Sequence, residues 1–211
     1  MAKSRKKDTP FSSSDTVTMT AILISVLIIA IWGILDSSDE PENTYISTPE
    51  SENTYVDGRY DLIPCPTIFS EEVAKASQKY GIEKERLYAV MRVESNFNPN
   101  VVSKANARGL MQMIPSTYKE ICEDRDMEYR VEDLFDPAVS IDFGAYYLKW
   151  LYDSLGDWDL AHMAYNAGIN NVWKWLENSE YCQNGKITYI PFTETRNYME
   201  KLNYYYNEYK N

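Results

Sequence analysis

The sequence predicts a mainly α-helical domain standing behind an N-terminal apolar segment and an acidic linker. Three observations carry this. From Ile63 onward, apolar residues recur at three- and four-residue intervals, and no two-residue alternation lasts long enough for a substantial sheet. Thr16 to Leu35 is a run of 20 residues without a charge. Between them, residues 36–60 hold seven acids against one Arg, with Pro41, Pro49 and many Ser, Thr and Asn.

Residues 1–15 form a basic tail with Lys3, Arg5, Lys6 and Lys7. At about 1.5 Å per residue, the apolar run over 16–35 spans about 30 Å as a helix, the depth of a bilayer core. Basic residues precede it, and Asp36, Asp39 and Glu40 follow it. That asymmetry predicts a single-pass membrane anchor, with the tail cytoplasmic and the C-terminal domain on the outer, cell-wall side. The rival is a cleaved signal peptide. It fits less well, because the run is long and no clean small-x-small site follows. Residues 36–62 are too acidic and polar to bury a core, and predict a disordered, self-repelling spacer.

The domain over 63–211 reads as successive helices. Ser70 is placed to cap a helix through Tyr80, with Gly81 after it. A second helix starts near Glu83 and ends before Pro99. Residues 96–114 form a long loop, and Pro115 opens a helix to about Asp124. Asp136-Pro137 is a cap pair for a helix to Leu155, with Gly156 as its stop. Helices from about Asp159 to Ala167, around Val172, Trp173 and Leu176, and from Pro191 to the end complete the set. Asn184-Gly185 marks a turn, with a short strand beside it.

The net charge is −11. The first 35 residues carry four basic and two acidic groups, leaving −13 for the remainder, which repels nucleic acid. Eighteen tyrosines suit a groove for a polar polymer, and equally suit protein interfaces. Cys65, Cys122 and Cys182 form no CxxC, and His162 is the sole histidine, so no metal site is predicted. The thiols leave two states open: one disulfide such as Cys122–Cys182 with one free thiol, or three unpaired thiols. His162 is expected to face a helix neighbour.

On the second helix, Leu87, Val90, Met91 and Glu94 fall on one face. A carboxyl there loses solvation and keeps its proton longer, which suits a general acid. The alternative is a structural Glu paired with Arg92, Arg108 or a lysine. Four pieces weigh on the choice. They are Glu94-Ser95, Gly109-Leu-Met-Gln112, Ala164-Tyr-Asn-Ala-Gly168 and Ile190-Pro-Phe-Thr-Glu-Thr-Arg-Asn-Tyr198.

In this order and spacing the four resemble the catalytic domain of soluble lytic transglycosylases, which is similar to goose-type lysozyme. The resemblance covers roughly residues 67–206. It implies a lysozyme-like helical fold whose groove binds peptidoglycan glycan strands, with no cofactor. It also implies non-hydrolytic cleavage of the MurNAc–GlcNAc bond to a 1,6-anhydro-MurNAc end, with Glu94 as the sole acid/base. Ser103, Met111, Gln112, Tyr165, Asn166, Glu194 and Tyr198 are the implied substrate-side residues. Within these, Ser103 orients the carboxyl or contacts the intermediate, Met111 supplies apolar groove wall, Gln112 bonds sugar amides or hydroxyls, and Tyr165 bonds Glu94. Arg196 is expected to pair with a carboxylate. Asn106 stands where the family usually has glycine, and Ile169 replaces a frequent proline. Asn tolerates a positive φ, so the loop is expected to survive.

A muramidase of the same fold would need a second carboxylate such as Asp133, Asp136 or Asp142. A non-catalytic wall-binding scaffold is the reading from another class. Cell-envelope assembly proteins are candidate partners beside the glycan and the membrane.

Overall fold

The computed structural model describes residues 64–211; the basic tail, the apolar run and the linker over 1–62 lie outside the described residues. The described residues are mainly helical, as expected. They form α1 (Ser70–Tyr80), α2 (Lys84–Ser95), α3 (Pro115–Asp124), a 3-10 turn (Val131–Phe135), α4 (Pro137–Leu155), α5 (Trp158–Ala167), α6 (Ile169–Glu177) and α7 (Thr193–Lys210). A two-residue hairpin, β1 (Cys182–Gln183) with β2 (Lys186–Ile187), pairs antiparallel with Cys182 opposite Ile187. Asn184 and Gly185 both take positive φ between the strands, which suits a tight hairpin turn.

The helix ends follow local chemistry, with small corrections. Asp136 caps α4 by accepting from the backbone N–H of Ala138 at 2.8 Å and of Val139 at 3.4 Å. Ser70 is not a cap. It is the first helical residue, and Phe69 precedes it in the left-handed region at φ 55° with no side-chain bond. Helix α5 opens at Trp158, because Asp157 caps the Leu160 N–H at 3.0 Å. Helix α7 opens at Thr193, since Pro191 and Phe192 stay outside it and Phe192 is extended.

Helix α4 is the centre, with buried residues around most of its girth, from Ser140 to Leu151. Helix α2 lies antiparallel against α7. Glu83 at its start bonds Lys210 at 3.1 Å and also Tyr206, and Arg92 near its end lies over Tyr205. Leu87, Val90 and Met91 are fully buried, as their spacing predicts. Burying side chains of this size contributes about 1.5–3 kcal/mol each.

Asp142 on α4 ties three elements together. It accepts from Lys79 at 2.7 Å, Tyr80 at 2.8 Å and Arg125 at 3.1 Å. These contacts hold its carboxyl below the usual aspartate range although burial pushes the other way. All three cysteines are free thiols, so the Cys122–Cys182 pairing is not made. His162 is buried in α5 with Nδ1 3.1 Å from the Trp158 carbonyl oxygen, and burial drives its pKa down to about 3.

Candidate active site

Glu94 is the penultimate residue of α2, and the helix stops one residue later. Asn96 and Phe97 both turn left-handed there, at φ 50° and 63°. A bulky residue at positive φ is strained. Phe97 is held by its edge contact with Tyr88 at 6.4 Å and by Arg92 over its ring. The stop leaves Glu94 half-buried at the helix end.

Its environment favours the proton. Burial pushes the Glu94 carboxyl up to about 8, and the negative charge of Glu194 adds to this. Attraction to the Tyr198 hydroxyl pulls it partly back. That hydroxyl is buried and closes no full hydrogen bond among the described residues, so it is a donor in reserve beside the carboxyl. Among the described residues Glu94 enters no ion pair. Arg92 instead stacks on Phe97 and Tyr205, and Arg108 donates to Asn106 Oδ1 at 3.3 Å. The expectation of a structural Glu paired with an arginine or lysine is therefore not met.

The loop between α2 and α3 is a knitted meander. Gly109 N–H donates to the Val101 carbonyl at 3.1 Å, while Arg108 and Met113 exchange backbone bonds at 3.0 and 3.1 Å. Ser103 Oγ accepts the Ala107 N–H at 3.0 Å, which is the loop-satisfying role. Its own hydrogen remains to be donated to a second acceptor. Asn106 takes φ 63°, so Asn does adopt the turn at the position where the family has glycine.

Gly109 is required twice over. Its φ is 77°, and a Cβ there would sit 1.9 Å from the Leu134 carbonyl oxygen. Leu110 and Met111 are fully buried. Met111 therefore corrects the expectation of an exposed groove wall. Its side chain fills the space over Gly144, where an added Cβ would meet it at 2.5 Å, and so supports the loop from beneath. Gln112 is also corrected in part. Its Nε2 donates to the carbonyls of Gly109 at 2.9 Å and Val101 at 3.1 Å. Only its amide oxygen is left to meet a ligand.

Tyr165 donates to the Met111 carbonyl at 2.8 Å rather than to Glu94. Burial and the nearby Glu94 and Tyr147 raise its pKa well above the usual tyrosine value, so it stays a neutral donor. Asn166 accepts from Thr195 Oγ1 at 2.8 Å, which ties the end of α5 to the start of α7. Glu194 is exposed in the first turn of α7. Among the described residues Arg196 has no carboxylate partner. It donates to the carbonyls of Ile190 and Pro191 and to Thr193 Oγ1, clamping the turn that launches α7.

The structure thus brings Glu94, Tyr165, Glu194 and Tyr198 into one electrostatic group. Ser103 and Gln112 stand on the loop, and Asn166 and Met111 serve the frame. Sequence reasoning missed Ser140, a fully buried α4 serine whose Oγ accepts the Met111 N–H at 3.2 Å. A serine followed four residues later by Gly144, on the helix face that also carries Ile141 and Leu148, was its readable signal.

The three aspartates that a water-using reaction would draw on are occupied elsewhere. Asp142 holds its ion cluster, Asp136 caps α4, and Asp133 pairs with Arg130 at 3.2 Å.

A family model described as the transglycosylase SLT domain matches residues 71–187, more than half of the chain. The soluble lytic murein transglycosylase of Salmonella typhimurium is 32% identical over 65% of this chain and 22% of its own length. The membrane-bound lytic murein transglycosylase C of Actinobacillus succinogenes is 40% identical over 47% of this chain and 26% of its own. The chain thus spans about a quarter of the length of these relatives. Among solved structures, the lytic transglycosylase Slt of Pseudomonas aeruginosa, captured as an inactive mutant, superposes with TM-score 0.62 at 31% identity, over 68% of this chain and 24% of that one. The 70-kDa soluble lytic transglycosylase of Escherichia coli matches with TM-score 0.62 at 30% identity, over 69% of this chain and 24% of that one.

Proposed function

Because the chain belongs to the transglycosylase SLT domain family, we propose that it cleaves the MurNAc–GlcNAc β-1,4 bond of peptidoglycan without water, leaving 1,6-anhydro-MurNAc ends. The observation that carries this reading is a half-buried carboxyl at a helix end, raised to about 8 and paired with no cation. At neutral pH such a group still holds a proton to give.

Glu94 donates that proton to the glycosidic oxygen as the C1–O bond breaks. The carboxylate so formed takes the proton of the C6 hydroxyl on the same sugar, and the C6 oxygen bonds to C1. The proton count closes on one residue. The nucleophile travels with the substrate at high effective concentration, so no second carboxyl is needed. Tyr198 supplies the hydrogen bond that steadies the transient carboxylate, an interaction stronger in the charged state than before it. The Ser103 hydroxyl, the Gln112 amide oxygen and Glu194 contact the sugars, while Tyr165 and Asn166 fix the loop and the α7 turn around them.

Residues 16–35 anchor the chain in the membrane, with the N-terminus cytoplasmic and residues 63–211 facing the wall across the linker 36–62. The uncharged run and its basic flank support this. Relatives bear both membrane-bound and soluble names. Envelope assembly proteins are partners to seek on the same side of the membrane.

The test is digestion of purified glycan strands by the full chain and by its Glu94→Gln variant, with mass spectrometry of the new ends. Anhydro ends made by the wild type alone are expected. Reducing ends bearing a water-derived hydroxyl would make it a muramidase. Full cellular function in the Glu94→Gln variant would make it a scaffold.

A further inference from the structure

Helices α2 and α5 share a second polar point, away from the acid. Arg86 stands on α2, eight residues and about 12 Å of helix before Glu94. His162 stands on α5, three residues before Tyr165. Both side chains lean on the Trp158 indole, the guanidinium 4.6 Å from its ring centre and the imidazole centre 6.1 Å from it. Arg86 Nε and His162 Nε2 are buried, and neither closes a hydrogen bond among the described residues. We infer that these two nitrogens share one internal water molecule, which joins α2 to α5.

The chemistry of the two atoms selects the ligand. His162 Nδ1 lies 3.1 Å from the Trp158 carbonyl oxygen. A carbonyl oxygen only accepts, so Nδ1 carries the ring proton and Nε2 is left as an acceptor. Arg86 Nε–H is a donor and nothing else. Their common partner must therefore donate to one and accept from the other, and water does both. An anion only accepts. It would need a second proton on the imidazole, which burial and the positive charge of Arg86 both oppose.

The packing explains why the water has to come to the side chains. The Arg86 guanidinium is wedged between Trp158 and Tyr206, 4.6 and 4.4 Å from their ring centres, and its Nη2 reaches Glu83 Oε2 at 3.5 Å. Its side chain is only 11% exposed. Trp158 is stacked in turn on Tyr152 at 4.1 Å, and His162 is buried. Groups held in this way cannot swing out to bulk solvent, and leaving them unmet is costly. A bridging water is the ordinary remedy for buried polar atoms of this kind. The pair also differs from the Tyr198 hydroxyl, which is buried without a full bond but lies against the Glu94 carboxyl.

His162 is the only histidine of the chain, so the full chain labelled at the histidine ring nitrogens gives a single imidazole spectrum by NMR in detergent micelles. The proton is expected on Nδ1. The Nε2 resonance should be displaced upfield of a free acceptor, and the ring C–H protons should show nuclear Overhauser contact to a long-lived water. Arg86→Met keeps an apolar side chain between the two rings and removes the donor. There the water contact should be lost, and Nε2 should move to the free-acceptor position. The inference is overturned by a wild type without the water contact, by a proton on Nε2, or by scalar coupling between His162 Nε2 and Arg86 Nε, which would mark a direct bond. A water contact unchanged in Arg86→Met overturns it too, since that water would belong to His162 alone. Should Arg86→Met not fold, arginine-labelled wild type decides the matter. The Arg86 Nε–H proton must then contact a long-lived water, and its absence overturns the shared site. None of these readings depends on the reaction at Glu94.

Discussion

Replacing Glu94 by Gln tests the physical claim beneath the chemistry without any substrate. In the folded protein the carboxyl titrates near 8, against 4.5 for the ordinary group. Between those values the folded chain holds a proton that the unfolded chain has released. Wild-type stability therefore falls as pH rises through this window and levels off above the folded value. At pH 7 the gap is about 2.5 units, or about 3 kcal/mol at 1.36 kcal/mol per unit. Water reaching the half-buried group reduces this to roughly 1–3 kcal/mol. Gln has nearly the same shape and no charge to bury. The variant should match the wild type below pH 4.5 and exceed it at pH 7 and above. In a domain of this size each kcal/mol moves Tm by about 2–4 °C. Thermal melts of the two chains at pH 4, 7 and 9 read this directly. A stability difference that does not change with pH, or a variant less stable at pH 9, would refute the desolvated acid and the mechanism built on it.

Tyr198→Phe should raise the Glu94 pKa further, since the hydroxyl favours the charged form, whereas Glu194→Gln should lower it by removing a negative neighbour; the alkaline limb of the pH–rate profile should move in opposite directions in the two variants. Gly109→Ala forces a Cβ onto the Leu134 carbonyl at a φ of 77°, and should cost about 3 kcal/mol or more in urea unfolding along with the activity. Ser140→Ala leaves the buried Met111 N–H without its acceptor, and should cost about 1–3 kcal/mol by the same assay. Asp142→Asn should lose about 1–3 kcal/mol at pH 7. Because the Asp142 pKa is lowered from 3.8 in the fold, that contribution is present above 3.8 and fades as pH falls through the folded value, so the wild type should approach the variant in acid.

The helices were legible because their signals are local. Asp136-Pro137 and Gly156 bracket α4 as read, and the period from Leu87 to Glu94 marks the buried face of α2. Glu94 itself was legible as a charge on an apolar stripe. Ser70 misled because a serine before two glutamates reads as a cap, while Phe69 turns left-handed and the helix starts one residue earlier, at Ser70 itself. The roles of Met111, Gln112 and Tyr165 were not legible, because each depends on which way a side chain turns once distant elements meet. Tyr165 and the Met111 carbonyl are 54 residues apart and bond only after α5 packs beneath the loop. Arg196 shows the same limit. Charge complementarity suggests a carboxylate, and the turn ahead of it offers backbone carbonyls nearer at hand.

The division of labour in the site follows from that packing. The residues that looked like sugar contacts are largely spent on holding the backbone, as with the Gln112 amide, the Met111 side chain and the Tyr165 hydroxyl. In the proposed reaction a single acid gives and retrieves a proton at one sugar, and such an acid needs its position held to a fraction of an ångström more than it needs many ligands. The loop at 96–114 pays for this in strain, with Asn96, Phe97, Asn106 and Gln112 all left-handed. Its rigidity is borrowed from α4, where Ser140 fixes the Met111 amide and Gly144 admits the Met111 side chain. Changes at the buried Ser140 and Gly144 should therefore weaken turnover through the loop, and do so without moving the pKa of Glu94.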